Sequence, residues 1–231
     1  MINVIPSAAR YHGDFGWLST NWHFSFGDYN DPANMHWSAL RVFNDDLLQG
    51  GGGFEMHPHR DMEIISYVVE GGLEHRDNQG GHGIVHPGEI QVMSAGTGIV
   101  HAEKNASKTE PMRLLQLWIL PRTKGAKPRW AQKQFTHEQR SSKLLPIVSD
   151  GSVAGTLPID QDAVIYVSDL KAGEQIRHQN KGNHAYLFVI SGAATVNGKP
   201  LVNGGQARIA DEAKLEIRAD QDAHLMLLDL P

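Results

Sequence analysis

Histidines in two paired positions are the residues of this chain most suited to chemistry. His57 and His59 lie two residues apart, and so do His101 and Glu103. Side chains at positions i and i+2 of a β-strand project from the same face, so each pair can reach one point. The chain has 13 histidines and no cysteine, which leaves imidazole nitrogen and carboxylate oxygen as metal ligands. The spacing predicts one metal site, for which we expect iron(II), with nickel, copper, zinc or manganese as alternatives.

A second glutamate, Glu63, competes with Glu103 for the carboxylate position. The first segment has the spacing G-x5-H-x-H-x3-E-x7-G from Gly51 to Gly71. The second has G-x5-S-x-G-x4-H from Gly88 to His101. Both closely resemble the two cupin motifs, and a generic cupin uses the glutamate of the first motif. On this resemblance alone the fourth ligand would be Glu63, whose other interpretation is a buried carboxylate that orients a ligand histidine.

The elements that must position these residues are strands. Runs that alternate or are continuously apolar, bounded by Gly, Pro, Asn or Asp, predict β-structure over most of the chain. These runs are Ser38–Phe43, Glu63–Val69, Glu89–Met93, Arg113–Leu120, Ala163–Leu170, Tyr186–Ile190 and His224–Leu228. Short turns of helix are expected only near Asp31–Met35 and His137–Lys143.

A weak internal repeat predicts the domain organisation. The words YVVEGGLEH, HPGEIQVMSAG and LLQLWILP of the first half are matched in order by FVISGAATV, VNGGQARIADE and LMLLDLP in the second. We therefore predict an all-β protein of two tandem cupin barrels, each a double-stranded β-helix or jelly roll. The predicted domains are a metal-binding cupin over 1–135 and a cupin without a metal site over 136–231. A single long β-sandwich is the alternative.

Several longer words narrow the resemblance to one family. WHFSFGDYNDP at 22–32, LRVFNDD at 40–46, HPHRDMEIISYVVEG at 57–71 and MSAGTGIVHAEKN at 93–105 are together similar to the pirin family. Pirins have two cupin barrels and one metal, held in the N-terminal barrel. The resemblance implies that the ligands are His57, His59, His101 and Glu103, and it places Glu103 ahead of Glu63.

The second half lacks the ligand set of the first. His178 stands alone, Asn180 occupies the position of a second histidine, and His184 occupies the position that corresponds to Glu63. No residue of the segment GQARIADE corresponds to His101. We therefore expect no second metal site.

The family resemblance also implies an activity. Bacterial pirins of this length are associated with quercetin 2,3-dioxygenase activity, in which a flavonol is cleaved with O2 and carbon monoxide is released. In this hypothesis Glu103 accepts the proton of the flavonol hydroxyl group. The alternative is a redox-sensing protein-binding module that acts as a transcriptional or metabolic co-regulator. A third reading, a sugar-phosphate isomerase, would need a cationic pocket built from Arg41, Arg60 and Arg113.

Composition restricts the partners. With 21 basic and 26 acidic residues the net charge is −5, so we expect no direct contact with nucleic acid. No apolar run is long enough to span a bilayer, and the first residues lack a signal-peptide pattern, so we expect a cytoplasmic protein. We also expect the protein to be a monomer. The remaining partners would be a small aromatic or flavonol substrate, O2 and a regulatory protein.

Three further histidines, His75, His82 and His86, flank a Gly-rich turn. We interpret them as solvated hairpin residues rather than as an adventitious metal site. His23 lies in WHFSF, where a pocket role for His23 or Phe26 and simple core packing remain open.

Overall fold

The computed structural model describes residues 1–231 and consists almost entirely of strands. The first part of the chain contains β1 (Ile2–Ile5), β2 (Tyr11–Asp14), β3 (Leu18–Trp22), β4 (Leu40–Leu48), β5 (Gly53–His59), β6 (Glu63–Glu70), β7 (Leu73–Asp77), β8 (His82–Val85), β9 (Glu89–Ser94), β10 (Ile99–Asn105), β11 (Met112–Ile119) and β12 (Arg129–Gln134). The second part contains β13 (Leu145–Ser149), β14 (Leu157–Pro158), β15 (Val164–Leu170), β16 (Gln175–Gln179), β17 (His184–Ser191), β18 (Ala193–Val196), β19 (Lys199–Val202), β20 (Gln206–Ala210), β21 (Lys214–Ala219) and β22 (Ala223–Leu230).

Helix is confined to two short segments. A 3-10 turn covers Ser7–Ala9, and α1 covers His137–Arg140. The helix α1 begins with a capping box in which Thr136 and Gln139 bond each other's backbone N–H groups. The prediction of a turn of helix near Asp31–Met35 is wrong, because this segment forms a non-helical turn. No helix is long and apolar enough to cross a membrane.

The N-terminal barrel comprises Tyr11–Gln134 and Ile159–Gln161. Its seven-stranded sheet has the order β12-β9-β6-β11-β4-β3-β2, and its four-stranded sheet has the order β5-β10-β7-β8. Alternation along the strands directs apolar side chains into the barrel, where they pack in clusters. One cluster contains Leu18, Leu48, Val68, Leu73, Val85, Met112 and Leu114, and another contains Ile64, Met93, Ala95 and Ile99.

The C-terminal barrel comprises Met1–Arg10, Phe135–Pro158 and Asp162–Pro231. Its sheets have the orders β1-β20-β17-β22-β15-β13-β14 and β16-β21-β18-β19. A single apolar cluster that includes Leu187, Val189, Ile209 and Leu227 fills it. Each barrel thus has one seven-stranded and one four-stranded sheet, with antiparallel pairing apart from the parallel pair β13–β14, and the prediction of an all-β fold with two tandem cupin barrels is confirmed.

The compact units differ from the predicted ranges 1–135 and 136–231 in two segments and by one residue at the boundary, where Phe135 belongs to the C-terminal barrel. Met1–Arg10 belong to the C-terminal barrel because β1 pairs antiparallel with β20, with Ile2 opposite Ile209. Ile159–Gln161 belong to the N-terminal barrel, where Asp160 forms an ion pair with Arg122. Neither exchange has a local sequence signal, because both depend on which strand or loop lies alongside in the folded chain.

Candidate metal centre

Two neighbouring strands of the small N-terminal sheet bring the predicted histidines together. Strands β5 and β10 run antiparallel, with His57 opposite His101 and His59 opposite Ile99. The ring centroids lie 4.5 Å apart for His57 and His101, 4.7 Å for His57 and His59, and 4.9 Å for His59 and His101. One nitrogen from each ring lies within 4.8 Å of the others. The i, i+2 spacing and the strand pairing together account for this cluster.

The hydrogen bonds and burial of the three imidazoles suit metal ligands. His57 Nδ1 lies 2.7 Å from the Glu55 carbonyl oxygen, which can only accept, and this leaves His57 Nε2, 3.1 Å from His101 Nε2, to face the cluster. Burial and the neighbouring histidines lower the pKa of His59 to about 4 and that of His101 to about 3. His59 Nε2 is buried and has no hydrogen-bond partner in the protein. A cation that accepts these lone pairs would satisfy all three rings, and the donor set therefore fits a metal ion.

Glu103 is held by a polar row that crosses the large sheet. Asn44, Gln116, Ser66 and Gln91 are successive cross-strand partners on β4, β11, β6 and β9, so their side chains share one face. Ser66 Oγ donates to Glu103 Oε1 at 3.0 Å, Gln91 Nε2 donates to the same oxygen, and Gln116 Nε2 donates to Oε2 at 2.8 Å. These neutral donors stabilise the carboxylate, which is the form that binds a metal.

Two tryptophans fix the orientation of the glutamine amides. Trp130 Nε1 donates to Gln91 Oε1 at 2.9 Å, and Trp118 Nε1 donates to Gln116 Oε1 at 3.1 Å. An indole N–H can only donate, so each amide must turn its oxygen towards tryptophan and its NH2 towards Glu103. The arrangement orients the carboxylate through two independent Trp–Gln pairs.

The two competing glutamates occupy different surroundings. Glu103, His101 and His75 have ligand atoms within 4.8 Å of one another, so His101 belongs to two groups of candidate ligands. Glu63 belongs to neither group and accepts a hydrogen bond from Ser94 Oγ at 2.6 Å. Burial raises the pKa of Glu63, while Ser94 and the charge of Arg129 lower it.

The interpretation of His75 as a solvated hairpin residue is wrong. His75 is fully buried, its Nε2 lies 2.9 Å from Asp77 Oδ2, and its ring stacks on Trp130 at a centroid distance of 4.9 Å. Its ring centroid is 5.3 Å from that of His101, and the Nδ1 atoms of both rings have no hydrogen-bond partner. The alternation in LEHRD, where Leu73, His75 and Asp77 are buried, was the signal for this orientation. His82 and His86 are exposed, as expected.

Comparison with known proteins places this geometry in a family. Residues 6–119 match the family model described as Pirin, and residues 146–230 match the model described as the quercetinase C-terminal cupin domain. A protein from Escherichia coli K12 named quercetin 2,3-dioxygenase is 43% identical over 100% of this chain and 99% of its own length. The chain belongs to the pirin family.

A second curated relative and a solved pirin structure also match almost the whole chain. A pirin-like protein of Caulobacter vibrioides is 45% identical over 99% of both chains. The crystal structure of the bacterial pirin YhhW from Escherichia coli in complex with nickel(II) superposes with a TM-score of 0.95, at 40% identity over 100% of this chain and 99% of that one. The likeness therefore extends through both barrels.

The other residues considered in the sequence lie outside this pirin site. His23 is buried and stacks on Phe43 at 4.6 Å, which is core packing. In the C-terminal barrel His178 lies 3.2 Å from Asp229, and His184 Nδ1 lies 2.8 Å from the Pro231 carbonyl oxygen.

The three arginines do not converge on a phosphate pocket. Arg41 donates to the backbone carbonyls of Ser25 and Met35, and Arg113 forms a two-point ion pair with Asp45. Arg60 is exposed. The structure therefore offers no cationic pocket of the kind that a sugar-phosphate isomerase would need from these residues.

Proposed function

We propose that this pirin is a metal-dependent dioxygenase that cleaves a flavonol such as quercetin with O2 and releases carbon monoxide. The observation that carries the proposal is the cluster of three histidines, His57, His59 and His101, together with Glu103, which shares a second group of candidate ligands with His101. The name of the Escherichia coli relative, quercetin 2,3-dioxygenase, supplies the reaction class.

The proposed metal ligands are His57, His59, His101 and Glu103. Iron(II) is the proposed ion because imidazole and carboxylate suit it and because it is redox-active. Nickel is the first alternative, since the related bacterial pirin has been crystallised in complex with nickel(II). When bound, the ion would make a coordinating hydroxyl group more acidic and allow the substrate to react with O2.

The protein's own task is to orient groups and exclude water. Ser66, Gln91 and Gln116 hold the Glu103 carboxylate in one direction, which supports its role as a ligand. As a carboxylate grouped with His101, Glu103 is also a candidate acceptor for the hydroxyl proton of the substrate. The edge of the Trp118 ring packs against His59 at 4.9 Å and provides an apolar wall to the site.

The test is turnover by protein loaded with defined metals. Protein freed of metal is loaded with iron(II), nickel(II) or copper(II), and the loss of the quercetin absorbance band is followed together with O2 consumption and carbon monoxide release. We expect turnover with at least one metal, its loss in His57→Ala, and its retention in His82→Ala, which removes an exposed histidine. Absence of both quercetin and O2 consumption with all three metals contradicts the proposal.

A further inference from the structure

An aromatic pocket lies within the N-terminal barrel and has a volume of about 300 Å³. Five aromatic side chains line it: Phe15, Trp17, Trp22, Phe26 and Phe54. This volume is at the lower end of the range of small-molecule sites, and the lining suits a flat ring that can stack on several faces. Two of these side chains, Phe15 and Trp17, are substantially exposed, at 48% and 37%. The pocket is therefore open to an entering ligand.

The pocket adjoins the candidate metal centre on two sides. The Phe54 ring centroid is 6.3 Å from that of His57. The Phe26 ring meets the edge of Trp118 at 5.3 Å, and Trp118 meets His59 at 4.9 Å. A planar molecule held between Phe54 and Phe26 would consequently lie beside the histidine cluster.

Two buried polar side chains interrupt the aromatic lining. Asn44 and Asp46 lie two apart on β4 and are 4% and 3% exposed. Asp46 accepts a hydrogen bond from Thr20 Oγ1. Asn44 Oδ1 has no hydrogen-bond partner in the protein. Leaving a buried amide oxygen unpaired is costly, so this atom is suited to accept a hydrogen bond from a ligand hydroxyl group. The third polar residue, Asp28, is exposed.

Asp46 is better placed than Glu103 to take a proton from such a ligand. Glu103 already accepts hydrogen bonds from Ser66, Gln91 and Gln116. An ionised carboxylate has about four acceptor sites, so a metal bond would occupy the last. Asp46 has one side-chain donor, Thr20, and its other acceptor sites remain available.

Burial and neighbouring charges change the pKa of Asp46. Burial raises the pKa of Asp46 to about 7, the Thr20 hydrogen bond lowers it, and the negative charges of Asp45 and Glu103 raise it. Asp45, the neighbour of Asp46 on β4, forms an ion pair with Arg113 of the adjacent strand β11. Asp46 is therefore a buried carboxylate that lines the pocket and can accept a proton from a phenolic hydroxyl group.

We propose that this pocket binds the flat phenolic ring system of the substrate, that Asp46 accepts the proton of its reacting hydroxyl group, and that Asn44 accepts a hydrogen bond from a hydroxyl group. The inference rests on the proposed function and adds the proton acceptor and the substrate pocket. In the step, the substrate O–H bond breaks, its electron pair stays on oxygen, and an O–H bond forms on Asp46. No electron is transferred, and Asp46 releases the proton to water when the product leaves.

The test is anaerobic binding of quercetin to the metal-loaded protein, followed by absorbance. Without O2 the flavonol binds but is not cleaved, and its absorbance band moves to longer wavelength when the hydroxyl group is deprotonated. We expect wild type to show the shifted band at pH 7. Asp46→Asn should bind quercetin within about threefold of wild type and show the unshifted band. Asp222→Asn, the same change at an exposed position of the C-terminal barrel, should behave as wild type.

Two further variants separate binding from proton transfer. Asn44→Leu and Trp17→Leu should each weaken quercetin binding about tenfold, which corresponds to about 1.4 kcal/mol. Both should still give the shifted band at saturation, because Asp46 is intact. Trp17 is exposed enough for its replacement to leave the fold unchanged.

The outcomes distinguish this inference from the proposed function. If wild type neither binds nor consumes quercetin, the proposed function fails, and the substrate pocket fails with it. If wild type turns over quercetin and Asp46→Asn keeps the shifted band and the turnover rate, Asp46 is not the proton acceptor, although the proposed function stands. Loss of metal from Asp46→Asn, measured in the same samples, would place Asp46 in the metal centre and also overturn the inference.

Discussion

Replacing Gln116 by leucine tests how the barrel holds Glu103. In Gln116→Leu the Glu103 Oε2 atom loses its donor at 2.8 Å, and the Trp118 N–H loses its acceptor at 3.1 Å. A hydrogen bond to a charged group contributes about 1.5–3 kcal/mol, and an unpaired N–H that is partly exposed costs about 1 kcal/mol. We therefore expect the free energy of unfolding of the metal-free N-terminal barrel to fall by about 3 kcal/mol.

A matched control lies in the same polar row. Gln132 is the cross-strand partner of Gln91, but its amide donates to the Ile84 carbonyl oxygen and does not contact Glu103. Gln132→Leu should therefore cost about 1 kcal/mol or less. Urea unfolding at pH 7 followed by tryptophan fluorescence is the suitable assay, because all five tryptophans lie in the range 11–134 and report on this barrel alone. A loss in Gln116→Leu no larger than that in Gln132→Leu would refute the role of the row.

Three other predictions follow from the buried titratable groups. His75→Phe keeps the stack on Trp130 but removes the imidazole beside His101. We therefore expect metal affinity, measured by competition with a chelator, to fall about 10- to 100-fold. Unchanged affinity would show that His75 contributes only packing. Between about pH 6.5 and pH 4, His59 binds a proton in the unfolded chain but not in the folded one, so the metal-free protein should lose stability as the pH falls. Urea titrations of His59→Asn should show a weaker dependence of stability on pH. An equally steep dependence in the variant contradicts the lowered pKa of His59. Because the pKa of Asp46 is raised, its ionisation destabilises the folded state as the pH rises towards and beyond 7. Asp46→Asn should therefore be more stable than wild type at pH 8 but not at pH 4. An equal difference in stability at both pH values would contradict the raised pKa of Asp46.

The histidine cluster could be predicted from the sequence because strand periodicity fixes the direction of a side chain. His57 and His59 must share a face if they lie on one strand, and the same holds for His101 and Glu103. The pairing of β5 with β10 then brings His57 opposite His101. The alternation that predicted these positions also describes His75, but its position beside a Gly-rich turn favoured a solvated residue.

The polar row could not be predicted because it depends on register between strands that are distant in sequence. Asn44, Ser66, Gln91 and Gln116 have no common spacing, and each alone resembles a scattered polar residue in an apolar strand. Only the cross-strand pairing aligns them against Glu103. The same reason applies to the strand β1, which joins the C-terminal barrel through β20.

The choice between the two glutamates also needed this tertiary arrangement. Motif spacing alone favours Glu63, and the family resemblance favours Glu103. In the structure Glu63 bonds to Ser94, whereas Glu103 lies with His101 in one group of candidate ligands. These surroundings support Glu103 as the proposed ligand.

The metal content of purified variants decides which glutamate completes the histidine site. Wild type, Glu103→Ala and Glu63→Ala are expressed without added metal, purified identically, and analysed for iron, nickel, copper, zinc and manganese, with circular dichroism to verify the fold. We expect about one metal ion per chain in wild type and in Glu63→Ala, and a loss of most of it in Glu103→Ala. Full metal content in Glu103→Ala together with loss in Glu63→Ala would contradict this expectation.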